Sequence, residues 1–150
     1  DGHYDAIVLA KAGVTRLNMD SVISDILPLE TMLPAPGQGA LAIQCRDDSE
    51  SMAMLLSLQH HQTMLAVGAE RAFLGGLGGG CAVPVATYAY QLSTGDFELK
   101  GCVFTVDGSE KIEVQTRFHA ENVKQAKQAG LALAHTAIEQ GAKRILESGQ

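Results

Sequence analysis

The sequence predicts a protein of the α+β class, with α/β character overall, whose C-terminal domain is a three-stranded antiparallel sheet backed by helices. Three strand patterns separated by hairpin-turn sequences occupy residues 83–118, and helical patterns lie on both sides of them. An apolar run near the first residue is typical of a buried parallel strand. The 150 residues, of which 46% are hydrophobic and 19% charged, suit one ordinary domain or two small ones.

The first third of the chain is predicted to contain a strand followed by two helices. Residues 4–10 form a continuous apolar run, as expected for a strand that is covered on both faces. Residues 11–17 predict a short helical turn, and residues 19–27 predict a helix that Asp20 or Ser21 caps and Pro28 ends. A buried strand needs neighbours, so we expect this chain to be a fragment of a larger protein.

The middle of the chain is predicted to be a hinge, a strand and two helices. Residues 33–40 hold two prolines and two glycines, which is typical of a loop or hinge. Residues 41–46 predict a strand, and Asp47, Asp48 or Ser49 offers an N-cap for a helix that extends to about residue 58. Residues 62–74 have apolar side chains at helical spacing, and the five glycines within residues 75–80 are expected to end that helix.

The last part of the chain predicts the sheet and its covering helix. Residues 83–91, 97–105 and 111–118 predict strands, and the segments between them have the composition of hairpin turns. Residues 120–139 predict a helix with an apolar stripe, which residues 145–146 extend after Gly141.

Charge and cysteine content exclude several classes of function. Eleven basic and seventeen acidic residues give a net charge of -6, which disfavours a nucleic-acid surface. No apolar run approaches the roughly 20 residues that span a bilayer, and no basic-then-apolar leader opens the chain. The three cysteines are widely spaced and form no CxxC, so we expect neither a disulfide scaffold nor a zinc site but a protein of the reducing cytoplasm.

Cys81 is the first candidate for chemistry. It directly follows the glycine cluster, where a thiol is expected to be reachable by solvent and to act as a nucleophile if its thiolate is favoured. The alternative is a small buried side chain, which is how we interpret Cys45 and Cys102 within their strand patterns. The cluster lacks both the Gly-Lys-Ser/Thr ending and a GxGxxG motif, so a phosphate loop is only weakly indicated.

Three further sets of polar residues have competing interpretations. Arg16 follows Ala12-Gly13 at a predicted strand-to-helix turn, where open α/β sheets contact ligands, and a guanidinium there suits a carboxylate. The Glu70-Arg71 pair is interpreted as solvated or locally paired charges within a helix. His60 and His61 are adjacent, so on a helix they diverge by about 100° and do not readily share a metal ion.

The motifs, taken in order, resemble the porphobilinogen deaminase (hydroxymethylbilane synthase) family, in its C-terminal portion. The resemblance covers roughly the first ninety residues, with a compatible hairpin at residues 107–109 and a compatible Gly141-Ala142 beyond. The matching segments are residues 4–10 with Ala12-Gly13 and Arg16-Leu17, residues 33–40 with Cys45-Arg46, His60 with Thr63, residues 69–73, and Gly79-Gly80-Cys81 with Val83-Pro84.

This resemblance implies a transferase of tetrapyrrole and heme biosynthesis. The family joins four porphobilinogen molecules head to tail, releases ammonia at each step, and produces hydroxymethylbilane. It carries a covalent dipyrromethane cofactor on a cysteine thioether, and the matching cysteine is Cys81. Arg16 matches an arginine that lines the family's cleft, and Gly37, Gln38 and Gly39 match a hinge near the cofactor. The implied partners are porphobilinogen and the oligopyrrole chain, without nucleic acid or membrane.

The resemblance also implies a domain organisation. Residues 1–33 would be the end of domain 2, residues 34–57 the hinge and return strand of domain 1, and residues 58–150 the cofactor-carrying domain 3. The first two segments would be the tail of α/β domains like those of periplasmic binding proteins. Full-length members are expected to be monomeric, whereas residues 1–46 without their sheet partners would expose apolar faces and promote self-association.

Some residues depart from the family's pattern, and other functions stay open. No aspartate matches the family's catalytic aspartate, so we expect no catalytic residue in this chain and no polymerisation of porphobilinogen by the chain alone. Gly75-Gly76 replaces a segment that usually holds an arginine or polar residue, and Ala86 replaces a common glycine. The main alternative is a non-catalytic binding module with a bare Cys81; a cysteine hydrolase is disfavoured because no histidine has a spacing that indicates a base.

Overall fold

The computed structural model describes residues 2–78 and 83–147, which fall in two compact units. The first unit comprises Asp1–Met32 and the second Leu33–Gln150. In the part of the chain that the structure describes, no helix is both long enough and apolar enough to cross a membrane.

Within residues 2–32, the first unit contains one short helix and one 3-10 turn. Helix α1 spans Lys11–Arg16, as the sequence predicts to within a residue, and the 3-10 turn spans Asp20–Val22. The predicted strand over residues 4–10 is wrong: within residues 2–32 the backbone forms no ladder with another segment. An extended segment becomes a strand only when its N–H and C=O groups find partners on a neighbouring strand. Its apolar side chains are accordingly exposed, Ile7 by 72%.

The predicted helix over residues 19–27 is also wrong beyond the single 3-10 turn. Ile23 already has an extended backbone with φ -72° and ψ 114°. The Asp25 carboxylate accepts the N–H of Ile26 at 2.8 Å, a local side-chain bond that competes with helical bonding. Ala12 and Gly13, expected in a turn before a helix, instead lie inside α1.

The second unit is an α+β domain built on one antiparallel sheet, as the sequence predicts. Its three strands lie side by side in chain order, with Thr87 of the first opposite Gly101 of the second and Leu99 of the second opposite Thr116 of the third. The predicted strand over residues 41–46 is wrong, because this segment joins no sheet in the described chain, and Leu41 is fully exposed. The elements are α2 (Ser49–Leu56), α3 (His61–Gly76), β1 (Val85–Gln91), β2 (Phe97–Phe104), β3 (Lys111–Phe118), α4 (Val123–Glu139) and α5 (Ala142–Glu147).

Three helices of this unit begin at a side-chain cap. The Asp48 carboxylate accepts the N–H of Ser51 ahead of α2, and the Asn122 side chain accepts the N–H of Gln125 ahead of α4. His60 caps α3 by accepting from the N–H of Thr63, with its Nδ1 also 2.8 Å from the Thr63 hydroxyl oxygen. Each cap satisfies an N–H that the first helical turn leaves without an intrahelical partner.

Helix α3 continues through Gly75 and Gly76, where the sequence predicts a break. A Cβ on Gly76 would lie only 2.6 Å from Cβ of Ala134, so this glycine allows α4 to approach α3 closely. Leu77 is the C-cap of this helix, and Gly78 adopts φ +72°, the left-handed conformation common just after a helix.

Helices α3 and α4 pack together and cover the sheet. Phe73 of α3 is fully buried, and its ring lies against Gly101 at the centre of β2, where an added Cβ would be 2.4 Å from its Cζ atom. The glycine in the middle strand therefore makes room for the largest core side chain. Other side chains buried to 3% exposure or less include Leu65, Phe97, Leu99, Val103, Leu133 and Ile145.

Candidate functional site

The turn formed by residues 34–40 is the part of the predicted hinge that the structure describes in most detail. The Gln38 N–H donates to the carbonyl of Ala35 at 3.0 Å, and the Ala40 N–H donates to the carbonyl of Gly37 at 3.1 Å. Gly37 has φ +74°, which a glycine adopts without strain. The two bonds close a compact double turn, as the proline and glycine content predicts.

Two hydrogen bonds hold this turn in the second unit, one with strand β1 and one with helix α3. The Thr87 N–H of β1 donates to the carbonyl of Pro34 at 2.9 Å. The Gly37 N–H donates to Oε2 of Glu70 at 2.7 Å. A Cβ on Gly37 would sit 3.6 Å from the Val67 side chain, so the turn also lies close to helix α3.

Glu70 is the polar residue that the sequence interpretation missed. Its side chain was assigned to a solvated pair with Arg71, whereas Glu70 is only 5% exposed while Arg71 is exposed. Its Oε1 accepts the N–H of Ala89 at 2.8 Å, in addition to the Gly37 bond. Burial raises the pKa of the Glu70 carboxyl, and the two N–H donors offset only part of that effect.

A helical spacing signal for the buried glutamate was present in the sequence. Position 70 lies four residues after Ala66 and three before Phe73, both of which are buried on the inner face of α3. A charged residue on the apolar face of a helix is expected to have hydrogen-bond partners, and here both partners are backbone N–H groups.

The donors that the turn leaves available are on Gln38 and Gly39. Within the described residues, the side-chain amide of Gln38 and the N–H of Gly39 have no hydrogen-bond partner. Both residues are exposed. The Gly37 N–H is engaged by Glu70 and the Gln38 N–H by Ala35, so these two backbone donors already have acceptors inside the domain.

Arg16 is the last residue of α1 in the first unit. Its guanidinium is exposed and has no ion-pair partner in the described part of the chain. A cation in the last turn is favoured by the partial negative charge of the helix C-terminus. The side chain can therefore contact a carboxylate without first breaking an internal salt bridge.

The three cysteines differ in what the structure says of them. Cys81, the predicted nucleophile, lies outside the described residues. Cys102 is 2% exposed, and burial raises the pKa of its thiol to about 11, with the nearby Glu113 carboxylate acting in the same direction. Cys45 is exposed, with its Sγ 3.7 Å from the Met52 sulfur. The buried-residue interpretation is thus confirmed for Cys102 and wrong for Cys45.

In the part of the chain that the structure describes, two of the histidines have local partners. His60 serves as the cap of α3. His119 pairs with Asp96 at 3.1 Å on an exposed corner of the sheet. Residues 2–78 and 83–147 contain no group of three or more His, Cys, Asp or Glu side chains arranged to hold a metal ion.

Comparison with family models gives two matches in order along the chain. Residues 1–54 match the model described as "Porphobilinogen deaminase, dipyromethane cofactor binding domain". Residues 64–139 match the model described as "Porphobilinogen deaminase, C-terminal domain", and this second match alone covers just over half of the chain. The predicted resemblance is confirmed by both matches.

Proposed function

The chain belongs to the porphobilinogen deaminase family, whose cofactor is dipyrromethane, and from this we infer that it is part of a hydroxymethylbilane synthase. Such an enzyme joins four porphobilinogen molecules into hydroxymethylbilane and releases ammonia at each step. The observation that supports this proposal most strongly is the ordered pair of family matches, 1–54 followed by 64–139. Residues 1–33, 34–57 and 58–150 are proposed as contributions to domains 2, 1 and 3, and a cytoplasmic location is proposed with them.

Cys81 is proposed to hold the cofactor through a thioether. A thiolate is a strong nucleophile, and it would add to the methylene carbon that becomes electrophilic when the aminomethyl group of a pyrrole loses ammonia, so that a C–S bond replaces the broken C–N bond. When bound, the dipyrromethane supplies the covalent anchor on which the oligopyrrole chain is extended. The buried Cys102, with its raised pKa, is a poor competitor for that role.

The described residues provide donors that fit a polycarboxylate. Each pyrrole ring carries an acetate and a propionate group, so the bound chain is a polyanion. The unpaired Arg16 guanidinium suits bidentate binding of a carboxylate, and the free Gly39 N–H and Gln38 side-chain amide suit single hydrogen bonds. We propose that Gly37 contributes its positive φ rather than its N–H, because that N–H is held by Glu70.

The 150-residue chain alone is proposed to be inactive in polymerisation. None of its aspartates matches the catalytic aspartate of the family, which assists proton transfer at the pyrrole nitrogens. Two of the aspartates already accept backbone N–H groups close by in the sequence. Asp48 caps α2, and Asp107 accepts the N–H of Ser109 in a hairpin turn. Hydrogen bonding lowers the pKa of Asp107 to about 2, which makes it a poor proton donor near neutral pH.

The test is consumption of porphobilinogen by the purified chain with no other polypeptide present. We expect no conversion above that of a protein-free blank, while a complete member of the family assayed in parallel converts the substrate. Formation of hydroxymethylbilane by the chain alone would show that the proposed inactivity is wrong.

A further inference from the structure

Strand β1 lies at an edge of the sheet, and no strand among the described residues bonds to its outward N–H groups. Two of them find acceptors elsewhere: the carbonyl of Pro34 accepts from Thr87 at 2.9 Å, and Oε1 of Glu70 accepts from Ala89 at 2.8 Å. An exposed edge with free N–H groups is open to pairing with other chains, and these acceptors occupy it.

The second oxygen of the same carboxylate reaches a different segment. Oε2 of Glu70 accepts the Gly37 N–H at 2.7 Å, at the position in the turn with φ +74°. One buried side chain on α3 therefore joins the turn, 33 residues earlier in the chain, to the strand, 19 residues later. Removing it would leave two backbone N–H groups without acceptors.

A carboxylate is the side chain that this arrangement requires. It offers two acceptor oxygens and no donor, whereas the amide of glutamine would place an NH₂ group against one of the two N–H groups. Hydrogen bonds to an ionised acceptor are also shorter and stronger than neutral ones, which compensates for burial of the charge.

We propose that Glu70 is a positioning residue that fixes the turn of residues 34–40 on the edge of β1 and so sets the position of the donors on Gln38 and Gly39. The role of the turn in contacting oligopyrrole carboxylates rests on the proposed function. The attachment itself depends only on three hydrogen bonds. The Thr87 N–H donates to the carbonyl of Pro34, and the N–H groups of Gly37 and Ala89 donate to the Glu70 carboxylate.

Amide hydrogen exchange and amide proton shifts, measured by NMR on the 150-residue chain without any pyrrole, test the attachment. In Glu70→Gln we expect the Gly37 amide to exchange at least tenfold faster and to lose the downfield shift given by a carboxylate acceptor. The amides of Val103 in β2 and Ala134 in α4 should keep their exchange rates within about twofold. The matched control is Glu139→Gln, which removes the same charge from an exposed residue of α4. Glu139 has no hydrogen-bond or ion-pair partner among the described residues.

Unchanged exchange and shift at Gly37 in a folded Glu70→Gln protein would overturn the proposal. If Glu70→Gln also loses amide protection at Val103 and Ala134, the variant does not fold and cannot test the attachment. The test then uses Gly37→Ala, which strains the turn and leaves Glu70 in place. Faster exchange at Ala40 with Ala89 still protected then supports the proposal, and full protection at Ala40 overturns it. Neither result depends on whether Cys81 carries a cofactor, so failure of this inference is distinguishable from failure of the proposed function.

Discussion

At the scale of single residues, burial decides which ionisable side chains of this chain are reactive and which are structural. Glu70 and Cys102 are both buried, and burial raises the pKa of each. Glu70 uses its charge to hold two backbone N–H groups, whereas Cys102 is a small apolar side chain between Ala86 and Glu113 in the sheet register. Arg16 and the turn of residues 34–40 instead carry hydrogen-bond donors that are exposed.

The raised pKa of Glu70 makes the stability of the protein depend on pH. The folded protein binds a proton at this site more tightly than the unfolded chain, whose glutamates titrate at about 4.3. The free energy of unfolding therefore decreases as the pH rises from that value toward the raised folded pKa. Urea denaturation between pH 4 and pH 8 gives the free energy of unfolding of the wild type and of Glu70→Gln. The value for the wild type minus the value for the variant should be largest at pH 4. A difference that stays constant, or that increases with pH, would contradict this prediction.

The two described cysteines should differ strongly in reactivity. The pKa of the Cys102 thiol is about 11, so a solution at pH 8 is about three units below it and only about a thousandth of the Cys102 side chains are thiolate. Its 2% exposure also restricts access. With iodoacetamide on the native chain, timed quenching and peptide mass spectrometry should show Cys45 modified at least a hundredfold faster than Cys102. Comparable rates would mean that β2 does not bury its thiol as described.

At the scale of elements, the contact between α3 and α4 depends on small residues. A Cβ on Gly130 of α4 would lie 2.1 Å from the carbonyl oxygen of Ala69, and one on Gly76 of α3 would lie 2.6 Å from Ala134 Cβ. Both positions require glycine for the two helices to pack at this distance. Gly75, one residue earlier, has nothing within 4 Å of its Cβ position.

This difference predicts opposite effects for two adjacent substitutions. Gly75→Ala should raise the free energy of unfolding by roughly 0.5 kcal/mol, because alanine favours the helix and reduces the entropy of the unfolded chain. Gly76→Ala should lower it by about 1–3 kcal/mol through overpacking against Ala134. Urea denaturation of the two variants against wild type measures both. Stabilisation by both substitutions would show that the helices separate without cost.

The elements predicted correctly from the sequence are those whose signals lie in neighbouring residues of the chain. The hairpin strands and α4 were predicted to within a few residues, because turns, caps and apolar periodicity are local signals. The strands expected over residues 4–10 and 41–46 are absent from the described chain, because an apolar run alone does not supply a partner strand. The turn of residues 34–40 was expected from its prolines and glycines, whereas its attachment through Glu70 is a contact between distant segments.

At the scale of the whole molecule, the two units differ in how they bury apolar surface. The second unit has a dense core around Phe73, Phe97 and Leu99. The apolar side chains of residues 4–10 and 41–43 are exposed, Leu9 by 64% and Ile43 by 60%, and our expectation of self-association through such faces stays a prediction. The net charge of -6 does not favour binding of a polyanion, so the proposed contacts with carboxylates depend on local donors such as Arg16, which has no ion-pair partner among the described residues.

We propose above that Cys81 carries the dipyrromethane cofactor, and the intact mass of the denatured chain, followed by peptide mapping, tests this claim most directly. The proposal predicts an added mass equal to two porphobilinogen units less their ammonia, located on the peptide that contains Cys81. If the purified chain has a bare mass, incubation with preformed hydroxymethylbilane should add the mass of that four-ring bilane less one water at Cys81, because the thiol sulfur replaces the hydroxyl group on the hydroxymethyl carbon. A Cys81 that stays bare after that incubation, or an adduct found on Cys45 or Cys102 instead, would contradict the claim and favour a non-catalytic module with a free thiol.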